Sequence, residues 1–229
     1  MKLLLFLALL PALLLMRSIY KKDTVEKEPV GLLLVSAFAG ALACIPAAWI
    51  EQMLIAVLDG FFREGTLIYA ALEAFLIVAA AEEGCKLFFL KKLTWKSSHF
   101  NYRFDGIVYA VFMSLGFAGL ENILYVLNFG PDVLISRGLL AVPGHMTFAV
   151  FMGLHYSEAK LAALWGRHDG KSRSLRKAFI TPVLLHGFYD FCLMSGLNIL
   201  ALVFIGFVIV LDLSALRAVR RASKNDHPL

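Results

Sequence analysis

Read from its N-terminus, the chain alternates long apolar runs with short polar interruptions, most of them basic. A helix that crosses a membrane needs about 20 predominantly apolar residues, and runs of that kind stand at roughly 2–19, 31–58, 66–90, 105–129, 136–165, 178–195 and 197–216. This pattern predicts an all-α fold, a polytopic transmembrane helical bundle of about seven helices, with six to eight allowed and two junctions to resolve. The first junction follows the opening run, which resembles the apolar stretch of a signal peptide. No small-x-small cleavage pattern precedes Arg17, so the run reads as a helix of the bundle. The second lies at Ser195, Gly196 and Asn198, where the last two runs either turn as a tight hairpin or form one bent segment. No linker, low-complexity tract or repeat divides the chain, and 1–229 reads as a single integral membrane domain.

Composition agrees with the pattern. Hydrophobic residues make up 60% of the chain, charged ones 17%, and the mean hydropathy is +0.76, too few charges to clothe a soluble surface of this size. The net charge of +5 does not point to nucleic acid, because no nucleic-acid fold signature accompanies it. Lys and Arg instead gather in alternate loops: Arg17, Lys21, Lys22 and Lys27 follow the first run, Lys91, Lys92, Lys96 and Arg103 the third, and Lys160 to Lys177 the fifth. Arg217, Arg220, Arg221 and Lys224 follow the last, whereas only Arg63 and Arg137 follow the second and fourth. The positive-inside rule then places the N-terminus outside and the C-terminus in the cytoplasm of a cell membrane, with the basic loops against anionic lipid headgroups. Cys44, Cys85 and Cys192 all lie in apolar stretches and read as packing residues.

Against this background, a few ionisable residues lie where they are expensive. Groups at membrane depth are retained when they face one another or a cavity, and here the third run carries Glu73, Glu82, Glu83 and Lys86, the fourth Glu121 and Asn122, the fifth His145, and the sixth His186 and Asp190. At about 1.5 Å per residue, Lys91 sets Glu82 about 13 Å from the basic edge and Lys177 sets His186 at a similar depth. From the other edge Arg137 sets His145 about 12 Å in and Pro131 sets Glu121 about 15 Å in. Four helices therefore bring ionisable side chains toward the middle of a hydrocarbon core about 30 Å thick. Residues i and i+4 share a helix face, so Lys86 can offset Glu82 and Asp190 can orient His186. Two adjacent carboxylates in a low-dielectric site resist joint ionisation, which suits one of Glu82 and Glu83 to act as a general base toward water.

These residues, in this order, resemble the PrsW family of intramembrane proteases, related to CAAX-peptidase and bacteriocin-processing membrane proteins. Glu82-Glu83-Gly84-Cys85-Lys86 resembles its EExxK motif, Phe117 to Asn122 its FxxxEN, Gly144-His145 its isolated histidine, and His186 to Asp190 its HxxxD. Asp105 to Tyr109 is similar to the lead-in to the second motif, and Ala81 stands where the family often has a third glutamate. The resemblance implies a catalytic helical core at about 66–195 and an endopeptidase of glutamic type. Glu82 or Glu83 polarises water, His186 assists proton transfer or the oxyanion, Asp190 orients His186, Asn122 and His145 donate to the oxyanion or hold the scissile peptide, and Glu121 is a catalytic candidate that stands where the related CAAX peptidases carry the histidine of FxxxH. Lys86 and Phe117 support them. It also implies a single-pass membrane substrate such as an anti-sigma factor, cut on the extracytoplasmic side as a first step in stress signalling. The first two helices receive no chemistry from it.

Competing readings fit the residues less well. No HExxH pattern sets two histidines one turn apart for zinc, and neither a metal nor another cofactor is expected. Ser114 lacks the Gly-x-Ser setting of a rhomboid-type serine protease, and Asp190 stands alone at depth, without the second aspartate of an aspartyl protease. A proton-coupled transporter would favour inverted repeats and broken helices, which the chain lacks; a non-catalytic scaffold or binding protein is the remaining alternative. Glu73 matches no motif and reads as an outer-leaflet or hydrogen-bonding residue, and His155 with Glu158 as a solvated pair at a helix end.

Overall fold

A computed structural model describes residues 1–229 as seven helical rods with no β-strand: α1 (Lys2–Lys22), α2 (Val30–Asp59), α3 (67–94), α4 (Asp105–Phe129), α5 (Val133–Leu164), α6 (His168–Met194) and α7 (Asn198–Lys224). Two rods contain wider π-helical turns between α-helical ones, Glu73–Ala79 in α3 and Arg137–Ala141 in α5. By length and composition α1, α2, α4, α5 and α7 can each cross a membrane. The other two are less apolar for a reason that matters below: α3 carries Glu73, Glu82, Glu83 and Lys86, and α6 opens with a basic segment. That segment moves a boundary. The apolar pattern starts the sixth helix near 178, but the rod starts at His168, because Lys171, Arg173, Arg176 and Lys177 are good helix formers that extend it beyond its apolar part. The last two runs form a hairpin, turned at Gly196 with φ +67, a backbone conformation that glycine adopts without steric penalty.

The rod at the centre is α4, flanked by α1, α2 and α5. Its first half is buried on every side, Ile107, Val108, Val111, Met113 and Leu115 all being 0% exposed. Lipid supplies no hydrophobic drive between helices, so such packing depends on close backbone approach through small residues. A Cβ on Gly40 would lie 1.8 Å from the Met113 carbonyl oxygen and one on Gly116 1.9 Å from that of Ala37, so α2 and α4 meet backbone to backbone. The outer faces of α2 and α7 are exposed and apolar, with Phe38, Ile45, Trp49 and Met53 on one and Leu202, Ile205 and Ile209 on the other. This is the surface expected of a bundle solvated by lipid.

The ends of α1, α3, α5 and α7 and the starts of α2, α4 and α6 share one face of the bundle, and the basic segments all lie there. This face is tied together by polar contacts: Asn101 and Tyr102 donate backbone N–H bonds to Asp105 at 2.9 and 2.6 Å, and Phe104 donates to Asp226 in the C-terminal tail at 2.9 Å. The Glu28 backbone donates to Asp23 at 3.0 Å, and the Tyr109 hydroxyl donates to Glu28. Burial pushes the Glu28 carboxyl up to about 7, against the Tyr109 hydrogen bond that lowers it, and burial likewise raises Asp23. The Asp105–Tyr109 lead-in thus belongs to a clasp on the basic face, apart from the deep ionisable cluster.

Candidate active site

Four rods meet at that cluster. On α3, Glu82 and Glu83 head the turn that also carries Lys86, and the i+3 and i+4 spacing lets the ammonium reach both, donating to Glu82 Oε2 at 2.9 Å and Glu83 Oε1 at 2.8 Å. Its third bond goes to His145 Nδ1 on α5 at 3.1 Å. An ammonium has three N–H donors and no acceptor, so Lys86 is saturated. It is 1% exposed and lies 4.2 Å from the centre of the Phe117 ring on α4, a cation–π contact that suits a buried cation.

The donor inventory also assigns the histidine protons. Facing a donor-only ammonium, Nδ1 of His145 accepts, so its hydrogen sits on Nε2 and is donated to Glu121 Oε2 at 2.9 Å. His186 on α6 differs: Nδ1 is 3.0 Å from Glu83 Oε1 and Nε2 is 3.2 Å from Asp190 Oδ2. Both of its nitrogens face carboxylates, the arrangement that suits a ring donating from each side. The ring is stacked on Phe148, with centroids 4.8 Å apart at 17°, and approaches His145 edge-on at 5.5 Å. One continuous polar chain therefore runs from Asp190 through His186, Glu83, Lys86 and His145 to Glu121.

A cavity of about 740 Å³ lies over this chain, with Glu82, Phe117, Glu121, His145, His186 and Asp190 in its wall. Asn128, Ser136 and Met194 in its lining come from the ends of α4 and α6 and the start of α5, so it lies toward the face opposite the basic one. Glu83 and Asn122 are each 0% exposed and stand behind the wall. Asn122 is committed at both ends: its amide nitrogen donates to the Ala8 carbonyl at 2.7 Å, and its oxygen accepts from Arg137 Nε at 3.0 Å. It braces α1 and α5 against α4 and does not face the space above Glu82. The nearby Ser114 hydroxyl donates to the His145 carbonyl at 2.9 Å, a packing role within the α4–α5 contact. His155 and Glu158 pair at 3.0 Å away from all of this.

Three charged residues that the motifs do not mark also reach the cavity. Glu51 of α2 lines it, as does Arg137 at the head of the π-helical turn in α5. A signal existed for Glu51, one carboxylate in a long apolar run. Arg137 reads in sequence as a loop charge at a membrane edge. Glu73 lines the same wall. Among clusters suited to a metal ion, one donor atom each from Glu82, Glu83 and His145 lie within 4.8 Å of one another, and Lys86 Nζ sits among the three at the distances given above.

Residues 28–214 match a family model described as PrsW family intramembrane metalloprotease. A protein named Protease PrsW from Oceanobacillus iheyensis is 34% identical over 94% of both chains. Its namesake from Geobacillus kaustophilus is 37% identical over 81% of this chain and 77% of its own, and that from Bacillus subtilis 34% identical over 82% and 81%. No solved structure matches. A family match across most of the chain, like-named relatives of nearly equal extent and a bundle able to cross the membrane agree: the chain belongs to the PrsW family of multi-pass intramembrane proteases.

Proposed function

We propose that the chain hydrolyses a peptide bond of a single-pass membrane protein, an anti-sigma factor being the substrate class that the family resemblance suggests, with Glu82 as the general base. The observation that carries this reading is the difference between the two adjacent glutamates. Glu82 lines the cavity and uses only Oε2 toward Lys86, which leaves Oε1 for a water molecule. Glu83 is fully buried, gives Oε1 to Lys86 and His186, and has its Oε2 sealed from solvent without a partner. Glu83 is therefore the positioning carboxylate. Water held on Glu82 adds its oxygen to the scissile carbonyl carbon and passes a proton to Glu82. The oxyanion develops beside His186, oriented by Asp190, and the proton on Glu82 then moves to the leaving amine as the C–N bond breaks, giving a carboxylic acid and an amine. Residues 66–195 form the catalytic core in this reading. The basic face is cytoplasmic by the positive-inside rule, so the cavity lies toward the outside.

The family description implies a metal. What speaks against one held by Glu82, Glu83 and His145 is the Lys86 ammonium, which lies within 3.1 Å of a donor atom of each and supplies the positive charge there. The donor set does not fit a metal ion beside it, and the reaction above is derived from the side chains alone. The test is cleavage of a reconstituted single-pass anti-sigma factor by wild type, Glu82→Gln, Glu83→Gln and His186→Ala, with and without chelator. We expect Glu82→Gln to lose at least about 100-fold in rate, the other two to lose less, and chelator to change nothing. Wild-type cleavage by Glu82→Gln refutes the assignment.

A further inference from the structure

Arg137 is absent from every motif, yet it is the one lysine or arginine that lines the cavity, and its guanidinium is engaged on three sides. Nη2 forms an ion pair with Glu121 Oε2 at 2.8 Å without a hydrogen bond of its own, Nε donates to Asn122 Oδ1 at 3.0 Å, and the guanidinium carbon sits 3.7 Å from the centre of the Tyr125 ring. The three partners are consecutive or one turn apart on α4, so a single planar group grips one face of that helix by edge and by plane. Lysine has neither the fork nor the plane. The Glu121 oxygen that meets Arg137 is the same one that accepts from His145 Nε2 at 2.9 Å. The arginine is thus one residue removed from an imidazole of the cluster.

We propose that Arg137 is a positioning residue that acts through Glu121 to hold His145 as the Nε2–H tautomer. With the guanidinium charge holding Oε2 ionised and in place beside the ring, the hydrogen stays on Nε2, and Nδ1 presents a lone pair to Lys86. In the other tautomer an N–H would point at the ammonium, and Lys86 would give up its third bond and drift from Glu82 and Glu83. The π-helical turn Arg137–Ala141 contributes to this. Its i→i+5 bonding changes the angle between Arg137 and His145 along α5, and both reach the same carboxylate oxygen. The inference rests on the reading of Glu82 as the base, since Lys86 is the link between His145 and that carboxylate.

The test combines a spectroscopic and a kinetic readout on the full chain in micelles. In protein labelled with ¹⁵N-histidine, with His145→Gln used to assign the signal, the wild type is expected to show one protonated nitrogen at Nε2 and one accepting nitrogen at Nδ1. Arg137→Gln is expected to show mixed tautomers, a kcat lower by about tenfold or more with KM within about twofold, and an altered pH–rate profile. Arg137→Lys keeps the charge without the fork and is expected to fall between, so it carries the test should the glutamine variant not fold. A His145 signal unchanged in both variants, with wild-type kcat, overturns the proposal while an inactive Glu82→Gln leaves the base assignment standing. An active Glu82→Gln fails the base assignment, and with it the claimed link from Arg137 to the rate, whatever the tautomer signal shows.

Discussion

Replacing Lys86 with Met removes the cation at the centre of the site while keeping much of its volume. The ammonium donates three bonds of 2.8 to 3.1 Å and is 1% exposed, between carboxylates that are 5% and 0% exposed. Deleting one partner of a buried ion pair costs about 3–5 kcal/mol, because the charge left behind has neither water nor counter-ion. At about 2–4 °C per kcal/mol for a chain of this size, the expected fall in Tm is about 6–20 °C. It is largest at high pH and shrinks at low pH, where a carboxyl can take up a proton and cease to be an unpaired charge. Thermal unfolding of both proteins in the same detergent, at about pH 8 and about pH 5, reads this directly. A second readout separates charge from packing: the variant vacates the space between three donors within 4.8 Å of one another. After incubation with zinc and desalting, Lys86→Met is expected to retain zinc and the wild type none. A variant with wild-type Tm at pH 8, or a wild type that holds one equivalent of zinc, refutes the assignment of that space to the ammonium.

Two further expectations concern other parts of the bundle. Glu28 binds its proton more tightly in the folded state, at about 7 against 4.5, so the stability it contributes is complete below about 4.5 and is lost as pH rises through about 7. Glu28→Gln keeps an acceptor for Tyr109, and its Tm is expected to fall less than that of the wild type between about pH 5 and about pH 8; equal falls would show that this carboxyl does not titrate with folding. Gly187 follows His186 in α6, and a Cβ there would lie 2.4 Å from the Phe75 ring and 2.9 Å from the Phe75 Cα. Gly187→Ala is expected to push α6 off the π-helical turn of α3, lengthen the 3.0 Å His186–Glu83 contact and lower kcat by about tenfold. Gly144→Ala, beside His145, meets its nearest atom at an ordinary 3.5 Å and serves as the control; equal rates for the two variants would mean that this close approach does not set the site geometry.

Much of the site is legible in the sequence because helix periodicity is rigid. Lys86 four residues after Glu82 and Asp190 four after His186 have to share faces, and they meet at 2.9 and 3.2 Å. The rods themselves follow from apolar run length, which is why the largest boundary difference falls where basic residues extend α6 beyond lipid. Periodicity misleads at Glu73. Nine residues before Glu82, at about 100° per residue, it would point to the opposite face of a regular helix. Between them, however, lies the π-helical turn Glu73–Ala79, where each residue advances by a smaller angle, and both carboxylates line one cavity. Arg137 is hidden for another reason: a lone arginine at the end of an apolar run looks the same whether it stays in water or folds inward, and only tertiary contact with Glu121, Asn122 and Tyr125 distinguishes the two.

The two faces of the bundle are unlike each other, and this bears on ion leakage. Acids and imidazoles around a cavity deep in a bilayer are the parts from which a proton channel is assembled, and each charge crossing the membrane potential is worth about 2.3 kcal/mol per 100 mV. Here that cavity lies toward the face opposite the basic one. Beyond Lys86 the path toward the basic face is filled by Leu90, Ile107, Val108, Val111, Val150 and Tyr156, all 0% exposed, and the clasp at Asp23, Glu28 and Asp105 lies on the far side of them. The chain can therefore keep hydrolytic chemistry at membrane depth while the lower half of α4 serves as an electrical insulator, and that half has reason to stay apolar quite apart from holding the helices together.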